Sequence, residues 1–256
     1  MHIEERLEFI DSLAPLPIKP TPRIGAFSTA IETPPHDPAK AAATVLPNTI
    51  DVYMPKTPQQ IIDDVDLCKL AMQLEATNKY PDDSQLFDWF NFYVEGLSIL
   101  GWTISSRSFQ DVTIRQTGLT MDQVALNIAR GLIGADAAQI LAKVGNLAVE
   151  KVKESPDAIK IFEKEKKLGA QAKFDIAPVW VDGSGKANML LNCISLDARE
   201  SETGILFWKS TKKSTTVKTG AVRTSLDNTT FSAIRGALRA KFTTQAEKFI
   251  ASLGNF

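Results

Sequence analysis

Two histidines and two cysteines are all that the 256 residues hold of the side chains that most often carry chemistry near neutral pH. His2 lies at the start of the chain and His36 inside a proline-rich stretch, neither beside a candidate partner. Cys68 and Cys193 lie far apart in apolar-patterned segments. They read as two small buried hydrophobes, because a zinc site or a Cys–His nucleophile would need partners that the sequence does not place nearby. No run approaches the roughly 18–20 apolar residues that a membrane-spanning helix needs. The opening Met1-His2-Ile3-Glu4-Glu5-Arg6 carries acids and no following apolar stretch, unlike a signal peptide. The expectation is a soluble chain, cytoplasmic or exported by a route independent of a signal peptide. A charge excess is lacking too. With 29 basic against 30 acidic residues the formal net charge is -1, which argues against duplex binding, so no nucleic-acid partner is expected.

What is present is apolar patterning. At 44% hydrophobic, the chain can fill one large core or two modest ones. Ile3, Leu7 and Ile10 space a short amphipathic helix over residues 3–13. From Pro15 to Pro58 the chain holds 10 of its 13 prolines, a density that argues against long helices and central strands there. Ile24, Phe27, Val45, Ile50 and Tyr53 are still too many apolar groups for a solvated linker, so residues 1–56 read as a proline-rich arm packed on the body.

Thr57-Pro58-Gln59-Gln60 has the form of a capping box and opens the first long helix, with Ile61, Val65, Cys68, Leu70 and Met72 as its core stripe. A second helix from Asp82 or Asp83 carries the aromatic group Trp89, Phe90, Phe92 and Tyr93, dense enough to imply burial on more than one side. Short extended stretches fit residues 102–104 and 109–114. A further capping box at Thr120-Met121-Asp122-Gln123 then opens a helical pattern to about Glu154. Ten of the 25 positions from 124 to 148 are Gly or Ala, and Gly131 and Gly134 predict a break into two helical pieces. Ser155-Pro156-Asp157 restarts a helix that ends at Gly169, which closes a helical region over residues 57–169.

Beyond Gly169 the period becomes alternating. Asp182-Gly183-Ser184-Gly185 predicts a hairpin loop, with a returning strand from Met189 to Leu196. Ile205-Leu206-Phe207-Trp208 reads as a third strand, and residues 214–218 and 221–225 as a fourth and fifth. A final helix follows a cap at Asp227, Asn228 or Thr229, with Phe231, Ile234, Leu238 and Phe242 in its stripe. The fold class is α+β: a helical N-terminal and middle part, then an antiparallel sheet region over residues 170–256 covered by the C-terminal helix. The stretches 1–56, 57–169 and 170–256 are expected to form one compact unit.

No residue is assigned a catalytic, cofactor-binding or metal-ligating role, and no cofactor is expected. Gly183-Ser184-Gly185-Lys186 looks like a phosphate loop, but Ala187 follows the lysine and a strand comes next, so the hairpin reading holds. Glu200-Ser201-Glu202 is similar to the acidic pair of ADP-ribosyltransferases. In that family the Ser/Thr element precedes the acids, whereas Ser214-Thr215-Thr216 follows them, and the acids read as a solvated loop. A carboxylate-dependent hydrolase using Asp63, Asp64, Glu200 or Glu202 remains an alternative, against the ordinary reading of such acids as helix caps and flanks.

One asymmetry stands out. From Gly204 onward nine basic residues face only Asp227 and Glu247, giving about +7 there and about -8 in the remainder. Lys209, Lys212, Lys213 and Lys218 would form a basic edge, and with Arg223 they make the candidate interaction surface for a protein partner or an anionic membrane surface. The Gly/Ala-rich segment 124–148 reads as a packed helical hairpin, with direct membrane insertion and pore formation as the sharper alternative. That segment, the later Ile205-Leu206-Phe207-Trp208-Lys209 and the final helix with Ile234-Arg235 give residues 120–256 a pattern that resembles small companion proteins encoded beside bacterial pore-forming toxins. The resemblance implies a non-enzymatic bacterial virulence or toxin-associated protein that works by binding.

Overall fold

The prolines of the arm bound strands instead of excluding them. Between Pro38 and Pro55 lie two proline-free runs rich in β-branched residues, β1 (Ala42–Leu46) and β2 (Thr49–Tyr53), which pair antiparallel from Leu46 opposite Thr49 to Ala42 opposite Tyr53. The computed structural model describes residues 1–14, 37, 39–46, 49–154, 175–195, 209–210 and 212–253. The expected helix after Ser155 and the expected strand at Ile205-Leu206-Phe207-Trp208 lie outside these.

Four further strands are described: β3 (Trp102–Ile114), β4 (Asp175–Val181), β5 (Ala187–Ser195) and β6 (Thr215–Leu226). They join the first two in one sheet of order β1-β2-β4-β5-β6-β3. The α+β class holds. The sheet is mixed, however, because β2 and β4 run parallel while every other pair is antiparallel. β2 sits between β1 and β4, so the arm does supply an interior strand. The two extended stretches expected around 102–114 are one 13-residue strand. The expected fourth and fifth strands are likewise one, continuous through Gly220. β6 lies between β5 and β3 and holds only Lys218 of the four lysines, so they do not line a sheet edge as expected.

β4 is also interior, although it contains Pro178, which has no N–H to give a ladder. Its pairing with β5 covers only Val179 to Val181. Where the ladder stops, the Asp175 carboxylate accepts the Asn192 backbone N–H (2.9 Å) and its Nδ2 (3.0 Å). A side chain thus satisfies a donor that the proline-bearing strand leaves over.

Helices cover both faces. On one lie α1 (Ile3–Ser12), α2 (Gln59–Lys79), α3 (Leu86–Ile99) and α6 (Asn228–Leu253), packed on Tyr53, Val179, Met189, Leu191 and Val222. On the other lie α4 (Met121–Arg130) and α5 (Ala135–Glu154), packed on Ile50, Val52, Ile176, Leu190 and Val217. Alternate residues of β5 serve the two cores, as a period of two requires. α2 is buried from Asp64 to Gln73 without a break, which makes it the central helix of its layer. Its expected cap fails: Thr57 Oγ1 donates to the Met54 carbonyl (2.7 Å), and Pro58 takes the N-cap position. The second expected box holds, with Gln123 Oε1 accepting the Thr120 N–H (3.1 Å). The break predicted at Gly131 and Gly134 falls between α4 and α5.

α6 starts at the expected Asp227. Its carboxylate accepts the Thr229 and Thr230 N–H groups and the Thr230 hydroxyl, while its own N–H donates to the Gly101 carbonyl (2.9 Å) at the turn between α3 and β3. The Thr230 hydroxyl and the two N–H groups hold this carboxyl below its usual range. A depressed folded-state value means that the contribution is present above the unfolded value and is lost as pH falls through the folded one. Asp227→Ala is expected to lower the unfolding free energy by about 1 kcal/mol at neutral pH, read from the midpoint of a urea titration.

Candidate interaction surface

Lys209, Lys212 and Lys213 are exposed on the segment that leads into β6. The segment is anchored from below by Ser210, which is buried. Ser210 exchanges backbone hydrogen bonds with the chain before α4, its carbonyl accepting Gly118 N–H (3.0 Å) and its N–H donating to the Leu119 carbonyl (2.8 Å). Its Oγ also accepts the Lys212 N–H (3.2 Å) and bonds Thr215 Oγ1 (2.8 Å). Lys209 bridges antiparallel to Thr120. Gly118 is needed there: its φ is +72°, and a Cβ would stand 3.0 Å from Lys209 Cε. The basic loop is therefore held in place beside the N-terminus of α4.

The other two candidates diverge. Lys218 shares a face of β6 with Val222, on the α3 side of the sheet, and is exposed. Arg223 has the opposite parity. Its guanidinium lies over the Trp180 ring (5.3 Å) beside an open depression of about 400 Å³ lined by Ser105, Ser106, Asn188 and Ser225. The structure groups Lys209, Lys212 and Lys213 at one end of the sheet and separates Arg223 from them.

The candidate carboxylates among the described residues have partners. Asp64 lies between Arg235 (2.9 Å) and Arg239 (3.0 Å) and so ties α2 to α6, while Asp63 accepts Gln59 Nε2 within its own helix. Asp82 accepts the Ser84 N–H as a helix cap. Glu200 and Glu202 lie outside the described residues. Cys68 and Cys193 are buried, and burial pushes the Cys68 thiol up to about 12. Among the described residues no group of three or more His, Cys, Asp and Glu gathers as a metal site. In segment 124–148, Val124, Ile128 and Leu141 are buried against the sheet, whereas Leu132 and Leu147 are exposed. Among the described residues no helix is long and apolar enough to cross a membrane.

Sequence reasoning missed the most constrained polar group. α2 presents Asp66, Lys69 and Gln73 at helical spacing to β1 and β2, which present Thr44, Thr49, Asp51 and Tyr53. Lys69 and Asp51 are both fully buried and form an ion pair. Asp66 accepts the hydroxyls of Tyr53 and Thr44 (2.7 Å for the latter), and Gln73 Nε2 donates to Thr49 Oγ1 (2.7 Å). Burial and then the nearby Asp51 charge raise Asp66 to about 7. Burial also raises Asp175 to about 7, against the lowering influence of Lys69 and of the Asn192 hydrogen bonds. A signal existed in the sequence: Asp66 and Lys69 fall inside an apolar stripe, and Thr49-Ile50-Asp51-Val52-Tyr53 alternates with its polar residues on one face.

No family model and no curated protein matches the chain. Among solved structures it is similar to that of the Evf virulence factor, with 12% identity over 94% of this chain and 90% of that one and a TM-score of 0.38. A likeness at this level assigns neither a family nor a function. The class that can be stated is the architecture itself, an α+β protein with helices on both faces of a mixed six-stranded sheet.

Removing one partner of the buried pair leaves an uncompensated charge. Lys69→Met is expected to lower the unfolding free energy by about 3–5 kcal/mol, and Lys69→Met with Asp51→Leu to recover most of that loss, both read by urea titration. A carboxyl whose folded value is raised binds its proton more tightly when folded, so its contribution is full below the unfolded value and is lost as pH rises through the folded one. Thermal stability is therefore expected to fall as pH rises from about 5 through 7, and Asp66→Asn to flatten that slope in a melting series across pH.

Proposed function

We propose that the chain is a non-enzymatic, toxin- or virulence-associated bacterial protein that acts by peripheral binding, with its basic loop against an anionic membrane surface. The observation that carries this reading is the loop itself: Lys209, Lys212 and Lys213 are exposed together on backbone fixed by buried Ser210. A protein interface is normally built around buried aromatic or large aliphatic anchors. The large apolar side chains exposed among the described residues are Met1, Leu7, Phe109, Leu132 and Leu147, none of them on this loop. Charge alone serves a lipid surface. At about 1 kcal/mol for each lysine near anionic headgroups, Lys209, Lys212 and Lys213 would support weak, salt-reversible attachment. The toxin-companion setting comes from the pattern over residues 120–256. The reading treats 1–56, 57–169 and 170–256 as one folding unit, a view supported by the single sheet that draws strands from all three.

The test is cosedimentation with vesicles of phosphatidylserine and phosphatidylcholine against phosphatidylcholine alone. Binding is expected only with the anionic lipid and only at low salt. The triple variant K209E/K212E/K213E should bind at least a hundredfold more weakly, since three attractive terms of about 1 kcal/mol each become repulsive. Equal binding to both vesicle types, or none to either at low salt, overturns the proposal.

A further inference from the structure

We propose that the outer edge of β3 is a homodimer interface, in which β3 of a second copy adds antiparallel about a two-fold axis at Phe109 and joins the two sheets into one. β3 ends the sheet order, and among the described residues nothing pairs with its outer side. Residues 105–111 are exposed without exception, on both faces of the sheet. The opposite edge, β1, is five residues long and buried. Proteins ordinarily protect a long free edge with proline, lysine or a bulge. β3 has its irregularity between Ile104 and Ser106, and from Ser106 to Ile114 it contains neither proline nor lysine.

The occupant is identified by self-complementarity. In an antiparallel pair centred on Phe109, Arg107 stands opposite Asp111 of the second copy, Asp111 opposite its Arg107, and the two Phe109 rings opposite each other. Neighbouring centres fail. Centring on Arg107 or on Asp111 sets like charges against each other, and centring on Ser108 or Gln110 sets Phe109 opposite Arg107 or Asp111 and leaves both charges without an opposite partner. These three side chains share one face by strand alternation, the face of α3, where Arg107 donates to Asn91 Oδ1 (3.3 Å) and Phe109 meets Phe87 edge to face (5.8 Å). Phe109 is seated close over Gly220, whose Cβ would approach its ring to 2.7 Å, yet remains 49% exposed, leaving its free side for a second ring. The helices α4 and α5 make their main contacts on β1, β2, β4 and β5 and reach β3 only at Val112 and Ile114, so residues 105–111 stay exposed.

The charges allow a test that leaves the fold intact, since Arg107 and Asp111 are exposed. Analytical ultracentrifugation of the full chain should show a species of twice 28.0 kDa. Arg107→Asp or Asp111→Arg alone should weaken dimerisation about tenfold or more, with an unchanged circular dichroism spectrum. An equimolar mixture of R107D and D111R should regain the affinity of the original chain, because the heterodimer restores two opposite-charge pairs, and the double variant R107D/D111R should regain it alone. A chain that stays monomeric at every concentration, or a dimer indifferent to these exchanges, overturns the proposal.

Discussion

The buried ammonium of Lys69 stands against the Asp51 carboxylate, and the placement of α2 on β2 follows from that contact. Taking each ion out of water costs several kcal/mol, so the pair adds little net stability over two apolar residues of similar size. Its effect is directional. Apolar side chains such as Val65 and Met72 would accept a helix slid by one turn at modest cost, because hydrophobic burial is not oriented. A slide by one turn would leave both charges unpaired inside the core. The same contact fixes the hydroxyl bonds around Asp66 and the amide bond from Gln73 to Thr49, which lie one turn to either side. With β2 held against α2, its parallel partner β4 is placed as well, and the Asp175 carboxylate accepts the Asn192 donors that its shortened ladder with β5 leaves over.

The two edges of the sheet are treated in opposite ways. β1 is closed off by short length and by packing from α2, α5 and α6. β3 runs for 13 residues, and its middle, residues 105–111, is exposed, with Arg107 and Phe109 meeting α3 at Asn91 and Phe87 on one face. Only its first and last residues, such as Trp102 and Ile114, meet the cores. An edge with free backbone donors and acceptors is a template for pairing, and the order of charges along β3 selects which strand fits it.

Most elements were legible from local pattern. The box at Thr120 with Gln123, the break at Gly131 and Gly134, the Asp182 hairpin and the cap at Asp227 all depend on residues within a few positions of each other, where turn and cap chemistry is decided. What escaped was long-range. Proline argues against strand only for residues that must donate at its own position, so β1 fits between Pro38 and Pro47, β2 between Pro47 and Pro55, and sheet pairing with distant β4 does the rest. Thr57 has the right type for a cap, but the Met54 carbonyl competes for its hydroxyl. Of the candidate surface, the exposure of Lys209, Lys212 and Lys213 and their grouping on one loop follow from charge and spacing, whereas the separation of Lys218 and Arg223 from them depends on β6 being an interior strand, a fact of topology.

The basic loop and the β3 edge constrain each other. A two-fold axis through Phe109, normal to the sheet, turns one copy end for end, so the two basic loops leave from opposite ends of the shared strands. Phe109 lies five residues from Ile114, which pairs with Thr215 just after the loop. At about 3.4 Å per residue the two strand ends stand roughly 35 Å apart and face in opposite directions. A single flat membrane set across one end therefore meets one loop, and doubling the chain adds no avidity there, because simultaneous engagement is what multiplies affinity. The second loop is left available to another anionic surface. If the loop binds anionic lipid and β3 dimerises as proposed, the dimer would bridge two surfaces through one reversible contact at each end.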